Sequence, residues 1–112
     1  MVQNKLIELF IGNVSNAVVH EILERAVSKE FVADKYRKEL MTSFEIARWY
    51  REKINPATRP LPDKDISYIK HKIISRVKSE LMARISKGYK NIDLGLVETL
   101  TEKALRDEKI KV

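Results

Sequence analysis

Three observations predict an all-α fold for this chain of 112 residues. It contains only three glycines and three prolines, too few for the many tight turns of a β-sandwich or barrel. Apolar residues recur three or four positions apart over most of the sequence, which is the helical period. The composition, 44% hydrophobic and 34% charged, is that of a folded globular chain. We therefore predict a single domain, residues 1–112, of four to six helices packed as a bundle or an orthogonal array.

The N-terminal quarter predicts two helical segments. Apolar side chains crowd residues 2–11, a pattern that fits either a buried helix or a strand, and we expect a helix. Gly12 should interrupt it, and Asn13 or Ser15 should then cap a second helix that runs to about Val27. Because most of the surface of this second helix is apolar, it is predicted to be central.

Residues 28–54 predict one long helix with Ser28 at its N-terminus and Glu30 in its first turn. Thr42 and Glu45 also fit a capping box, so two helices with a kink near Met41 are the alternative. The apolar residues of this segment lie on two opposed faces, one with Val32, Tyr36, Leu40, Ala47 and Tyr50, the other with Phe31, Ile46 and Trp49. A helix in a two-layer domain normally buries one stripe. We therefore predict that Phe31, Ile46 and Trp49 form a homodimer interface with Trp49 near its centre.

Residues 55–63 contain all three prolines and are predicted to form an extended connector. A helix over 65–87 should follow, capped by Asp63 or Asp65 and ended by Gly88, which adopts the left-handed conformation easily. Its apolar stripe consists of Ile66, Ile69, Ile73, Val77, Leu81 and Ile85. A last helix should follow with Asp93 as its N-cap, and its inward residues should be Leu94, Val97, Leu100, Ala104 and Leu105.

The whole net charge of +6 lies within residues 66–90, where seven lysines and arginines face the single acidic residue Glu80. A neutral body with one basic helix presents a directed field, and such fields usually attract polyanions. Helical geometry places Lys72, Arg76 and Lys87 on one flank, with Lys78 and His71 on the other. We predict that the backbone phosphates of DNA or RNA are contacted by Lys72, Arg76, Lys78, Lys87 and Lys90, with His71 as a further candidate.

An ordinary solvated surface is the competing interpretation of these charges. Glu80 lies four residues from both Arg76 and Arg84, a spacing that favours weak ion pairs within the helix. An acidic protein would also suit the basic face. The alternative function is therefore a structural or regulatory helical subunit that forms a homodimer or docks an acidic partner protein.

Catalysis and metal binding have little support in the sequence. His20 and Glu24 share a helix face, but a metal site needs at least a third ligand and His71 is the only other histidine. The chain has no cysteine, no glycine-rich phosphate loop, and no HExxH or GxSxG motif. We expect no enzymatic activity, no cofactor, no metal and no small-molecule substrate. Around Trp49, the run from Arg48 to Arg51 mixes aromatic and basic residues, and packing is favoured there over base stacking.

The location of the protein is predicted from absent signals. No uninterrupted apolar run is long enough to span a bilayer, and the N-terminus lacks the features of a secretory signal. We therefore expect a cytoplasmic protein that does not bind membranes. The lack of cysteine and the many charged residues also fit a thermophilic source.

Overall fold

A computed structural model describes residues 2–27, 29–54 and 61–108, with side chains described from residue 5 onward. These residues form four helices and no strand: α1 (Val2–Ala26), α2 (Glu30–Ile54), α3 (Asp63–Ser86) and α4 (Leu96–Asp107). The predicted all-α domain of four to six helices is confirmed. The proposed cap at Ser28 and residues 55–60 of the predicted connector lie outside the described residues.

Helix α1 is the centre of the fold, because it packs against each of the other three helices. Its side chains are buried on nearly all sides, which explains why its apolar residues show no single stripe. The buried set includes Phe10, Ile11, Val14, Val18, Ile22 and Leu23. The predicted central position of the segment up to Val27 is thus correct.

The predicted interruption at Gly12 and Asn13 is wrong, since α1 runs through both residues. The side-chain amide of Asn13 does not cap a new helix but donates to the carbonyl of Leu9, 2.8 Å away and one turn earlier. Gly12 lies where α3 comes close, and a Cβ atom added there would be 3.3 Å from Nη1 of Arg76. The glycine therefore lies within the helix, next to the end of the Arg76 side chain, and does not mark a turn.

Helix α2 is one continuous helix, as predicted, so the alternative of two separate helices is wrong. Thr42 does not act as a cap, because its hydroxyl donates to the carbonyl of Lys38 within the helix. α2 packs along α1, and its buried side chains are Ala47, Arg51 and Ile54. Tyr36, Phe44 and Tyr50 pack partly buried on the core.

Helix α3 begins two residues earlier than predicted, and neither Asp63 nor Asp65 caps it. Pro62 occupies the capping position, and its carbonyl accepts a hydrogen bond from the amide of Asp65, while both carboxylates lie in the first turn. The apolar stripe is confirmed at Ile69, Ile73, Val77 and Leu81, which are fully buried. Ile66 is partly buried, and Ile85 is exposed beyond the end of the core.

The predicted end of α3 at Gly88 is confirmed. Gly88 has a φ of 98°, a conformation that strains any residue with a side chain. Its amide donates to the carbonyl of Ile85, and the amide of Tyr89 donates to that of Arg84. These two bonds form a Schellman motif, which satisfies carbonyls that the helix leaves free.

Helix α4 begins three residues after Asp93, so the predicted start of the helix there is wrong. The Asp93 side chain instead accepts a hydrogen bond from the amide of Gly95, an Asx turn that leads into the helix. The predicted inward residues Val97, Leu100, Ala104 and Leu105 are buried, and Leu94 is partly buried. α4 packs on both α1 and α3.

Within α1, residues Lys5–Ala26 are long and apolar enough to cross a membrane, judged by length and composition alone. The prediction that no segment reaches this threshold is therefore wrong. More than half of this stretch is buried inside the fold, and the core helix of a soluble protein meets the same criteria.

Candidate nucleic-acid interface

Three of the seven cations in the basic stretch form ion pairs. Lys70 binds Glu102 of α4, which raises the pKa of Lys70 through the hydrogen bond and the charge. Arg84 lies 3.3 Å from Glu80, as the four-residue spacing predicted. Arg76 instead approaches Glu8 of α1, at 3.7 Å. Acidic residues from other helices thus offset two of the seven positive charges that the sequence concentrates in this stretch.

The other four cations, Lys72, Lys78, Lys87 and Lys90, are exposed and have no acidic partner in the described part of the chain. Lys72 and Lys78 lie on α3, and Lys87 occupies its C-cap position. Along the helix axis, Lys72 and Lys87 are about 22 Å apart. Four of the five predicted phosphate contacts are therefore free to bind, whereas the charge of Arg76 is shared with Glu8. His71 is also exposed.

Lys90 lies beside Lys29, which was not predicted from the sequence to contact phosphates. Lys29, between α1 and α2, lines the same shallow hollow of about 260 Å³ as Lys90 and Asn91. The two lysines are distant in sequence, so no local pattern could have indicated that they are neighbours. Their proximity extends positive charge from the end of α3 to the start of α2.

Two tyrosines were also missed as possible contacts. Tyr68 is 43% exposed, and the ammonium group of Lys72 lies 5.8 Å from the centre of its ring. Its hydroxyl donates to Glu8, which raises the pKa of Tyr68. Tyr89 is similarly exposed, with the guanidinium of Arg84 5.5 Å from its ring centre. Exposed rings beside cations are the elements of a stacking surface for unpaired bases. The sequence signal for these pairs was the spacing between ring and cation, which is four residues for Tyr68 and Lys72 and five for Arg84 and Tyr89.

A polar cleft of about 530 Å³ separates α1 from α3 beside Arg76. Its wall on α1 includes Gly12, Ser15 and Asn16, and its wall on α3 includes Ser75 and Ser79. The Ser15 hydroxyl is buried without a hydrogen-bond partner. Hydroxyl and amide donors of this kind contact phosphates in nucleic-acid complexes, but Glu80 also lines the cleft and reduces its positive potential.

The aromatic and basic run around Trp49 is divided by the fold. Arg51 is buried, with 2% exposure, and Arg48 reaches Glu108 at 3.2 Å. Trp49 stays 54% exposed, lying edge-on to Tyr50 and below the ammonium group of Lys53. The other residues predicted for a dimer interface, Phe31 and Ile46, are 82% and 41% exposed. Neither Trp49 nor Phe31 is part of the core of this chain.

His20 does not act with Glu24, which binds Arg37 instead. Nε2 of His20 faces Glu39 of α2, and the imidazole stacks on Tyr36 with 5.9 Å between ring centres. Burial lowers the pKa of His20 and outweighs Glu39, which raises it. Within the described residues, no group of three or more histidine, aspartate or glutamate side chains could hold a metal ion.

Comparisons with models of protein families, with curated proteins and with solved structures give no match. Function must therefore be inferred from the surface chemistry of the chain.

Proposed function

We propose that this protein is a small, non-catalytic protein that binds the phosphate backbone of nucleic acids through the exposed side of α3. The observation that supports this most directly is the set of lysines on α3 without acidic partners. Lys72, Lys78 and Lys87 are exposed to solvent, whereas Lys70 and Arg84 are held in ion pairs. An unpaired ammonium group can displace the counterions of a phosphate without first breaking a bond within the protein.

The buried side of α3 explains how this surface is kept rigid. Ile69, Ile73 and Val77 are anchored in the core, so the lysines project from a fixed helix rather than from a loop. Lys72 and Lys87 lie on one flank about 22 Å apart along the axis, a distance that spans several successive phosphates of a duplex, and Lys78 adds a cation on the other flank. The contacts involve the backbone, so affinity should be similar for different base sequences.

The test is a salt titration of binding to mixed-sequence duplex DNA and RNA. The parent protein should bind at about 50 mM salt, and the logarithm of its affinity should fall linearly with that of the salt concentration. Changing Lys72, Lys78 and Lys87 together to glutamine should reduce the slope by about 0.9 for each lost contact. Surface changes of this kind usually cost less than about 0.5 kcal/mol of stability each, so the fold should persist.

The matched control removes the same amount of charge from other exposed sites. Its three changes to glutamine are at Lys5 in α1, Lys53 in α2 and Lys103 in α4, which are all exposed. If binding depends only on net charge, both triple variants will lose affinity equally, which contradicts a site on α3. Absence of binding by the parent protein at low salt would contradict nucleic-acid binding altogether.

A structural subunit that forms homodimers is the second candidate function, and one observation favours it. The outer face of α2 leaves Phe31 and Trp49 exposed, although both are large apolar side chains that proteins usually cover. This role is compatible with nucleic-acid binding, since a dimer would present two copies of α3.

A further inference from the structure

The outer face of α2 carries a regular strip of exposed residues. They alternate at spacings of four and three, the repeat of a coiled-coil seam, and comprise Phe31, Lys35, Lys38, Thr42, Glu45 and Trp49. All six side chains are exposed, because α1 covers the opposite side of α2. Among the described helices, only α1 brings its backbone close to α2. The strip is therefore a helix face that no other described helix covers.

The aromatic residues lie at the two ends of this strip. Phe31 and Trp49 are eighteen residues apart, which is five turns of an α-helix, so both point in the same direction about 27 Å apart. A two-fold axis beside Trp49 would leave Phe31 beyond the partner helix. A two-fold axis midway between them, at the level of residue 40 along the helix, places Phe31 opposite Trp49 of the partner subunit, and the reverse at the other end.

The charges of the strip fit the same register. With the axis at the level of residue 40, antiparallel helices place Lys35 in one layer with Glu45 of the partner subunit, and symmetry repeats this pair. Lys38 then lies beside Thr42 of the partner subunit. In a parallel pair, by contrast, Lys35 and Lys38 would each face their own copy, and like charges would oppose association.

From this self-complementary pattern we propose that α2 pairs in antiparallel orientation with α2 of a second copy of the chain. Each end of the interface is an aromatic pair of Phe31 and Trp49, and each flank of the axis is an ion pair of Lys35 and Glu45. Neither Lys35 nor Glu45 has an ion-pair partner in the described part of the monomer. Both are free to pair across the interface. The proposal does not depend on nucleic-acid binding.

A charge exchange tests both the partner and the register. The parent protein should sediment as a dimer at about 100 µM. Lys35→Glu places an acidic residue opposite Glu45 of the partner subunit, and symmetry repeats this repulsion in a second layer. It should therefore raise the dissociation constant about tenfold or more. Glu45→Lys should do the same with two basic residues. The double variant Lys35→Glu/Glu45→Lys restores opposite charges and should restore the dimer.

Two controls separate this pairing from general effects. Lys103→Glu makes the same change of charge on exposed α4 and should leave the dimer intact. Trp49→Ala should weaken the dimer while helicity measured by circular dichroism is unchanged, because Trp49 lies outside the core.

Three results would overturn the proposal. One is a parent protein that is monomeric at this concentration, which would leave the outer face of α2 to a different partner. Another is a dimer that neither single charge reversal weakens. The last is a double variant no more dimeric than the single variants, because only the antiparallel register predicts recovery.

Discussion

Nε2 of His20 lies 2.9 Å from a carboxylate oxygen of Glu39, and this contact joins the second half of α1 to the middle of α2. Two opposing effects act on this imidazole. Burial lowers its pKa and is the larger effect, whereas Glu39 raises it. Two charges on α3 also act on the pKa of His20: Arg84 lowers it and Glu80 raises it.

We predict that the protein loses stability on acidification because of His20. In the unfolded chain this residue titrates near 6.5, and in the folded chain at lower pH. As pH falls below 6.5, the unfolded state takes up the proton first, so the free energy of unfolding decreases until the folded pKa is also passed. Urea unfolding at about pH 7.5 and about pH 5.5 should show this loss, and His20→Gln should reduce it.

His71→Gln is the matched control, because it removes an imidazole from the exposed surface of α3. The opposite result would be a parent protein that gains stability, relative to His20→Gln, when the pH is lowered from about 7.5 to about 5.5. It would show that the attraction of Glu39 prevails over burial.

Arg48→Ala should destabilise the fold through Glu108. The Glu108 side chain is almost fully buried, burial raises its pKa, and its hydrogen bond with Arg48 opposes that rise. Loss of a hydrogen bond to a charged group should cost about 1 to 3 kcal/mol at neutral pH. The cost should shrink in acid, because a protonated Glu108 no longer needs a cation. A loss that is the same at pH 7 and about pH 4.5 would contradict this explanation.

Ile73→Ala should be among the most damaging changes in α3. Ile73 is fully buried in the stripe that anchors this helix, and emptying such an aliphatic site costs about 2 to 5 kcal/mol. Ile85→Ala makes the same chemical change on the same helix but at a site with 37% exposure. Chemical denaturation should therefore show a much smaller loss for Ile85→Ala. Equal losses would indicate that the stripe does not anchor α3 as described.

Two glycine substitutions should have opposite signs. Gly88→Ala meets no atom within 4 Å, but it forces a side chain into a left-handed conformation at a cost of about 1 to 2 kcal/mol. Gly12→Ala should gain about 0.5 to 1 kcal/mol, because alanine is favoured within a helix and only the flexible end of Arg76 must move. Thermal unfolding of both variants provides the comparison. Destabilisation by Gly12→Ala would mean that the guanidinium of Arg76 cannot move away from the added methyl group.

The sequence predicted the elements that local chemistry determines. The predictions of the apolar stripe of α3 and of its end at Gly88 were both correct. Both depend on residues close together in sequence: the spacing of apolar side chains, and a glycine that adopts the left-handed conformation. The start of α4 was misplaced, since Asp93 can serve equally as a cap or as an Asx turn.

Features that depend on distant residues were not predictable. Gly12 resembled a break because its role, close approach to Arg76, involves another helix. The candidate site shows the same limit. Helical spacing correctly paired Glu80 with Arg84, but the partners Glu8 and Glu102 come from α1 and α4, and only the fold brings them to Arg76 and Lys70.

The arrangement around α1 has a consequence for how the molecule opens. Among the described helices, the backbone of α2 contacts only α1, whereas α1, α3 and α4 contact one another. The first half of α2 contributes only partly buried side chains to this contact. Amide hydrogens there should therefore exchange with solvent through local opening of the first half of α2, well before those of Val14 or Ile73 are released by global unfolding. Such opening would expose the histidine-bearing side of α1 to water while Ala47, Arg51 and Ile54 keep the second half of α2 in place.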